Sequence, residues 1–400
     1  MKELILPGHI LLGSATAATQ IEGGDKNSNW YHWSLKGRIA NNESSLVAAD
    51  HYNRVEEDIK LMTEMNHEVY RLSIEWSRFE PKEGVWSEEG IDHYRNEIKA
   101  LLKVGIKPLV TLHHFSHPQW FEEKGAWTSK GCIFYFKRFA EKVIEAIGSD
   151  VSEYCTINEP NVFVNDTYLD GKYPPGRKND MISYFKAAKN MIRAHLQVYE
   201  LIHRMRKKMG YSDTMVGIAM HLAYFDVIGQ KPLARLSRKL MDYSFHQIFL
   251  NGMVAGRLTF LLGMGSSSRG VSSCDFLGVN YYSRHIIHSS LNPAMLFGEV
   301  KVEKNLLDHK VNDLGWEIYP EGLYRVIKAE FGKYNLPIYI TENGIPDEKD
   351  RKRARFIYDH LVEVDYETQE RRIRKSGRFY GEICKSKKIT EEMIQTYLKD

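Results

Sequence analysis

Two short segments of the 400-residue chain carry residue types that can do chemistry. Thr156-Ile157-Asn158-Glu159-Pro160 and Ile340-Thr341-Glu342-Asn343-Gly344 each end an apolar, strand-like run on a glutamate, followed by a breaker that turns the chain away. A lone glutamate in such a place more often serves structure, as a cap or an ion-pair partner. Two that face each other across the mouth of a barrel form the carboxyl pair that cleavage of a glycosidic bond requires.

The elements that must position them are readable from periodicity. Short β-branched or apolar runs near 11–18, 68–76, 107–115, 153–159, 215–225, 275–283 and 336–342 predict strands. Between them, 56–65, 88–104, 132–147, 184–207, 233–250 and 320–333 predict helices; Ile91, Tyr94, Ile98, Leu101 and Leu102 form one stripe at three- and four-residue spacing. Seven strands alternating with helices predict an α/β fold, a parallel sheet with helices outside. No Pro/Gly/Ser linker divides the chain, and the Gly263-Met264-Gly265-Ser266-Ser267-Ser268 stretch reads as a loop before the sixth strand. The expectation is one (β/α) barrel domain over residues 1–400. Strands two, three, four, six and seven end in polar residues: Arg71 and Glu75, His113-His114, Asn158-Glu159, Asn280-Tyr281-Tyr282 and Glu342-Asn343. The carboxyl ends of the strands are where an α/β barrel builds its site.

Composition narrows the function classes. Hydrophobic residues make up 43% and charged residues 27%, which excludes a disordered chain. Fifty-five basic against 52 acidic residues leave a net charge of +3, too little for a chain that tracks nucleic-acid phosphates. Arg351-Lys352-Arg353 and Arg371-Arg372-Ile373-Arg374-Lys375 read as solvated helix faces. No apolar run is long enough to span a membrane. Met1-Lys2-Glu3-Leu4-Ile5-Leu6-Pro7 has an acid and a proline where a secretory leader needs an apolar core, and the four scattered cysteines have no metal-type spacing. A cytoplasmic protein with reduced thiols is expected. Aromatics reach 12%, which a large core or a sugar-stacking cleft explains equally well. Trp30, Trp33, Trp76, Trp86, Trp120 and Trp127 are assigned to packing.

Taken in order, the motifs resemble family 1 glycoside hydrolases, the β-glucosidase family. The matching residues are 13–23 (Gly-Ser-Ala-Thr-Ala-Ala-Thr-Gln-Ile-Glu-Gly), 70–78 around Arg71, Thr111-Leu112-His113-His114-Phe115, the two glutamate motifs, and 275–282 ending Asn280-Tyr281-Tyr282. The resemblance implies a (β/α)8 TIM-barrel fold and a retaining β-glycosidase acting on β-glucosides or related β-glycosides, with no metal or organic cofactor. It implies Glu342 as nucleophile and Glu159 as general acid/base, about 5 Å apart as double displacement needs. Asn158 would bond the sugar 2-hydroxyl, and Arg71 and Tyr282 would hold Glu342. Gln20 and His114 would bond the outer hydroxyls, Asn280 would support the site, and Trp316 would form part of the leaving-group platform.

The resemblance breaks near 364–365. In the family a seventh helix is followed by an eighth strand bearing Trp-Ser-x-x-Asp-Asn-x-Glu-Trp. Here Tyr358-Asp359-His360-Leu361-Val362-Glu363-Val364 resembles that helix and runs straight into Asp365-Tyr366-Glu367, with no tryptophan after Glu342. The implied fold therefore lacks its eighth strand, with 345–400 forming a C-terminal helical part. Strands one and seven would keep unpaired edges beside an open core, which would favour a homo-oligomer or uptake of a flat hydrophobic ligand. The alternative function is a degenerate barrel that only binds a sugar or such a ligand.

Overall fold

The computed structural model describes residues 4–227, 231–259, 262, 265–266, 272–290, 296, 298–301, 311–356, 362–364, 371–373 and 375–398. Seven parallel strands form the central sheet in sequence order: β1 (Gly13–Ala15), β2 (Val69–Ser73), β3 (Lys107–His113), β4 (Glu153–Asn158), β5 (Met215–His221), β6 (Phe276–Asn280) and β7 (Ile338–Glu342). Helices His51–Glu64, Glu88–Lys103, Cys132–Ile147, Met181–Lys208, Pro232–Asp242 and Pro320–Tyr334 follow β1 to β6 in turn. This is the (β/α) barrel architecture the alternation predicted. Four of the six β4 residues are β-branched, aromatic or small, and all six are buried, as a strand covered on both faces must be.

Local chemistry starts the helices where the sequence permits. Ser87 accepts from the Gly90 amide (3.1 Å) and Asp180 from the Ser183 amide (3.0 Å), caps worth about 1 kcal/mol each. The stripe of Ile91, Tyr94, Ile98 and Leu101 is buried as expected, whereas Leu102 lies exposed. Outside the barrel, the Trp76 ring stacks on Phe139 (4.9 Å, 12°) and sits among Phe121 and Phe136, which bears out its assignment to packing. All four cysteines are free and buried.

Among the described residues no eighth strand joins the sheet. β7 is the least covered strand, and Ile340 is 45% exposed. The expected open core is nevertheless corrected: Cα atoms of β1 and β7 come within 8 Å of each other. A strand seated between two others holds them roughly 9.5 Å apart, so the sheet has drawn in where a strand would otherwise fit. The helix Lys375–Ser386 braces that seam. Tyr380 donates its hydroxyl to the Gly13 carbonyl (2.6 Å) on the free edge of β1, and Asn66 donates to the Gly381 carbonyl (3.2 Å). Gly13 is required there, since an added Cβ would lie 1.6 Å from the Val69 carbonyl oxygen.

Other departures from the sequence reading are local. The strand expected over 215–225 is broken after His221, and the one over 275–283 after Asn280. Tyr224–Asp226 and Arg284–Ser289 pair instead in a separate three-stranded sheet with Gly298–Lys301. The segment 11–18 yields three strand residues and then a one-turn helix, Ala18–Ile21. Gly265–Ser266 is not loop but pairs with Arg257–Leu258. Val362–Val364, read as the end of a helix, is a strand paired antiparallel with Arg371–Ile373, seven to eleven residues further along the chain; a helical period does not report such a pairing. Arg371–Ile373 is accordingly a strand and not the helix face expected of it. The C-terminal part is thus helical at Arg353–Phe356, Lys375–Ser386 and Glu391–Tyr397 but not throughout. Residues 358–361 and 365, where the remaining helix residues and the junction were placed, lie outside the described residues.

Candidate active site

The polar strand ends converge at one rim, and Arg71 of β2 is their hub. Its Nη1 donates to Glu342 Oε1 (2.6 Å), its Nη2 to Asn158 Oδ1 (2.7 Å), and its Nε to Thr111 Oγ1 (3.0 Å). One buried guanidinium therefore ties β3, β4 and β7 together. Burial disfavours its charge, but the Glu342 carboxylate outweighs this and raises the guanidinium further. The second Glu342 oxygen accepts from the Tyr282 hydroxyl. Burial, then the charges of Glu342 and Glu159, pushes that phenol well above its usual range, so it stays a donor.

Asn158 is oriented by what meets its oxygen. Oδ1 accepts from Arg71 and from Asn280 Nδ2 (3.0 Å), leaving Nδ2 to donate to His114 Nε2 (3.1 Å). His114 Nε2 is then an acceptor, and the proton of the neutral ring sits on Nδ1. Burial, aided by Arg71, lowers this histidine to about 3, which keeps the ring neutral. Nδ1 is buried with no protein partner among the described residues, a donor left for something else.

Glu159 ends β4 in the left-handed region (φ 42°), with Pro160 starting the helix Pro160–Tyr168. It is 6% exposed. Its Oε1 accepts from Asn280 Nδ2 (2.8 Å) and lies 3.4 Å from His221 Nδ1 at the end of β5. Thr341 Oγ1 donates to Asn280 Oδ1 (2.6 Å), which fixes that amide's orientation. The ladders slip between Cys155 and Asn158 and between Val279 and Asn280. Such irregularities re-aim side chains at a rim, and here both immediately precede site residues.

Seven of the nine candidate residues enter this arrangement: Arg71, His114, Asn158, Glu159, Asn280, Tyr282 and Glu342. Gln20 does not join the network; it is exposed on the one-turn helix Ala18–Ile21. Trp316 stands at the edge, 42% exposed, its ring edge-on to Tyr282 (6.2 Å, 67°). The sequence reading missed Thr111, Thr341 and His221. The sequence offered no signal for His221, because the apolar run continues through Leu222-Ala223-Tyr224-Phe225 and hides the strand end. Among the described residues no group of three or more His, Cys, Asp or Glu is placed to hold a metal.

Parallel strands that bring two carboxylates to one rim, one held by a buried arginine and the other by an amide, are the architecture of a barrel glycosidase. Residues 2–366 match the model of glycosyl hydrolase family 1, and the chain belongs to that family. It is 29% identical to beta-glucosidase A of Thermotoga maritima, over 95% of this chain and 98% of that protein. A beta-glycosidase from Pyrococcus horikoshii superposes with a TM-score of 0.90 at 32% identity, covering 100% of this chain and 99% of that one. The Thermotoga maritima beta-glucosidase in complex with deoxynojirimycin gives 0.87 at 28% identity, covering 96% and 99%.

Proposed function

We propose that this family 1 glycoside hydrolase cleaves β-D-glucosides or related β-glycosides with Glu342 as nucleophile and Glu159 as general acid and base. The family acts with retention at the anomeric carbon. One observation carries the assignment of the two roles: the carboxylates have unlike partners. Glu342 receives a guanidinium and a phenol, donors that suit an attacking carboxylate. Glu159 receives a neutral amide on one oxygen and no cationic side chain bound as closely, which suits a group that gains and loses a proton.

The steps follow from those partners. A glucoside's non-reducing sugar enters between the glutamates, with the free His114 Nδ1–H donating to an outer hydroxyl and Asn158 facing the 2-hydroxyl. A Glu342 oxygen bonds to the anomeric carbon while the C–O bond to the leaving group breaks, and Glu159 gives its proton to the departing oxygen. The product is a neutral glycosyl ester, so the negative charge has moved from Glu342 to Glu159. Glu159 then takes a proton from water, the water oxygen bonds to the same carbon, and Glu342 leaves as carboxylate. Trp316 and Gln20 flank the sugar-binding rim in this reading.

The described helices include none long and apolar enough to cross a membrane. Four buried free thiols and a net charge of +3 support work in the cytoplasm on a small neutral substrate rather than on a nucleic acid. A barrel that only bound ligand would have no need to hold one of its two glutamates with a buried, fully engaged arginine. The test is release of nitrophenol from an aryl β-glucoside: turnover in the wild type, lost in Glu342→Gln, with the β-anomer as first product by NMR. No turnover in a folded wild-type protein overturns the proposal.

A further inference from the structure

We propose that His221 is the positioning residue of the acid/base carboxylate: together with the Asn280 amide it closes Oε1 of Glu159, so that the transferable proton is carried on Oε2. The inference rests on the assignment of Glu159 above. His221 Nδ1 lies 3.4 Å from Oε1 and Asn280 Nδ2 lies 2.8 Å from the same oxygen. No hydrogen bond to Oε2 is made among the described residues. Neither donor is free to turn away. Asn280 is fixed by the Thr341 hydroxyl on its oxygen (2.6 Å). The His221 ring lies nearly parallel to Tyr282 (6.0 Å, 20°) and edge-on to Phe245 (6.1 Å, 82°), while Asn161 Nδ2 donates to its carbonyl (2.8 Å).

The consequence for the proton is simple. In the ionised form of Glu159 each oxygen only accepts, so the His221 Nδ1 that faces Oε1 there carries hydrogen. A proton placed on Oε1 would displace one of the two donors, whereas a proton on Oε2 displaces neither. Glu159 therefore presents its acidic oxygen away from β5 and β6, toward the open mouth. When the glycosyl ester forms and charge arises on Glu159, the Nδ1–H already faces the oxygen that shares it. Two other histidines pack nearby and cannot substitute. His246 gives Nδ1 to Asp242 (2.9 Å). His285 sits against Phe225 (5.7 Å), and burial, with His221 and His246 beside it, lowers it to about 4.

The experiment compares leaving groups in the intact enzyme. Dinitrophenolate departs without a proton, whereas an alkoxide needs one. His221→Phe keeps a ring against Tyr282 and loses the donor; His221→Asn restores an N–H at the Nδ1 position. The expected result for His221→Phe is a fall in kcat/KM of about 10–100-fold on an alkyl β-glucoside and less than about threefold on dinitrophenyl β-glucoside. Its kcat on the dinitrophenyl substrate falls, because water still needs a base, and azide, which needs none, restores it with formation of the β-glucosyl azide. His221→Asn recovers most of the alkyl-glucoside activity. An equal fall on both substrates, no fall, or an Asn variant no better than Phe overturns the inference while leaving the function standing. A wild-type chain inert on both substrates overturns the function and the inference with it.

Discussion

Arg71 Nη1 meets Glu342 Oε1 at 2.6 Å across the seam of the barrel, joining β2 to β7, two strands that are not neighbours in the sheet. The ion pair thus orients the carboxylate proposed above as nucleophile and also ties the second strand of the sheet to the last. Both functions should respond to substitution. Arg71→Lys keeps the charge but cannot reach Glu342, Asn158 and Thr111 at once. A fall in kcat/KM of about 100-fold on an aryl glucoside is expected, with unfolding in urea showing a loss of about 1–3 kcal/mol. Unchanged kinetics would remove Arg71 from the site.

The Tyr282 hydroxyl and the His114 Nδ1–H act at different moments. Tyr282→Phe removes a donor from the nucleophile and should lower kcat by about 10–100-fold with KM little changed. His114→Phe removes a donor from the sugar, and kcat/KM should fall by a similar factor, on the order of a lost hydrogen bond in a buried site. Steady-state kinetics on one aryl glucoside distinguishes the two patterns.

Stability should depend on pH through a buried cluster behind the site. His51 Nδ1 faces Asp58 Oδ2 at 2.6 Å and its Nε2 faces Glu97 Oε1 at 3.0 Å. Burial opposes charge on the ring, but Glu97 and Asp58 outweigh it and raise His51 from 6.5 to about 10. The folded state thus holds the proton more tightly than the unfolded chain. The contribution is full below about pH 6.5 and is lost as pH rises through about 10. Burial raises Glu22 to about 7 against the pull of Arg78, and its contribution is likewise lost as pH rises through that value. The melting temperature should fall between pH 7 and 10, and His51→Gln should flatten that decline. A wild-type curve that rises over this range would contradict the assignment.

The brace on the seam can be tested on its own. Tyr380→Phe removes the hydroxyl that bonds the Gly13 carbonyl and should cost about 1 kcal/mol in urea unfolding. Turnover at low temperature should be unaffected, since Tyr380 touches none of the site residues named above.

Much of the site was legible because barrel chemistry sits at strand ends. Arg71, Asn158, Glu159, Asn280 and Glu342 each stand at or near the end of an apolar run that periodicity detects, and all five are brought together. Gln20 rests on a one-turn helix and Trp316 on a loop, where the placement of a side chain depends on local geometry that no periodicity encodes. His221, Thr111 and Thr341 were overlooked because their residue types are ordinary at strand ends and their roles exist only through a neighbour on another strand. The fold shows the same division. The seven parallel strands followed from local pattern, whereas the pairing of 224–226 with 284–286 depends on partners 60 residues apart that folding brings together. The drawing-in of β1 toward β7 is a property of the whole sheet, and no segment announces it.

Glu159 occupies a left-handed backbone conformation (φ 42°, ψ 57°) directly before a proline, where a side-chain-bearing residue is doubly disfavoured. Such positions cost on the order of 1–3 kcal/mol. Glycine would relieve that cost, so selection for folding alone would drift this position toward glycine. A glutamate there holds the backbone at a cost that glycine would avoid, and its proposed work is what sets durability aside. Searches for hardier variants of this enzyme should find their gains elsewhere, because the most relaxed residue at 159 would also be the one with no proton to give.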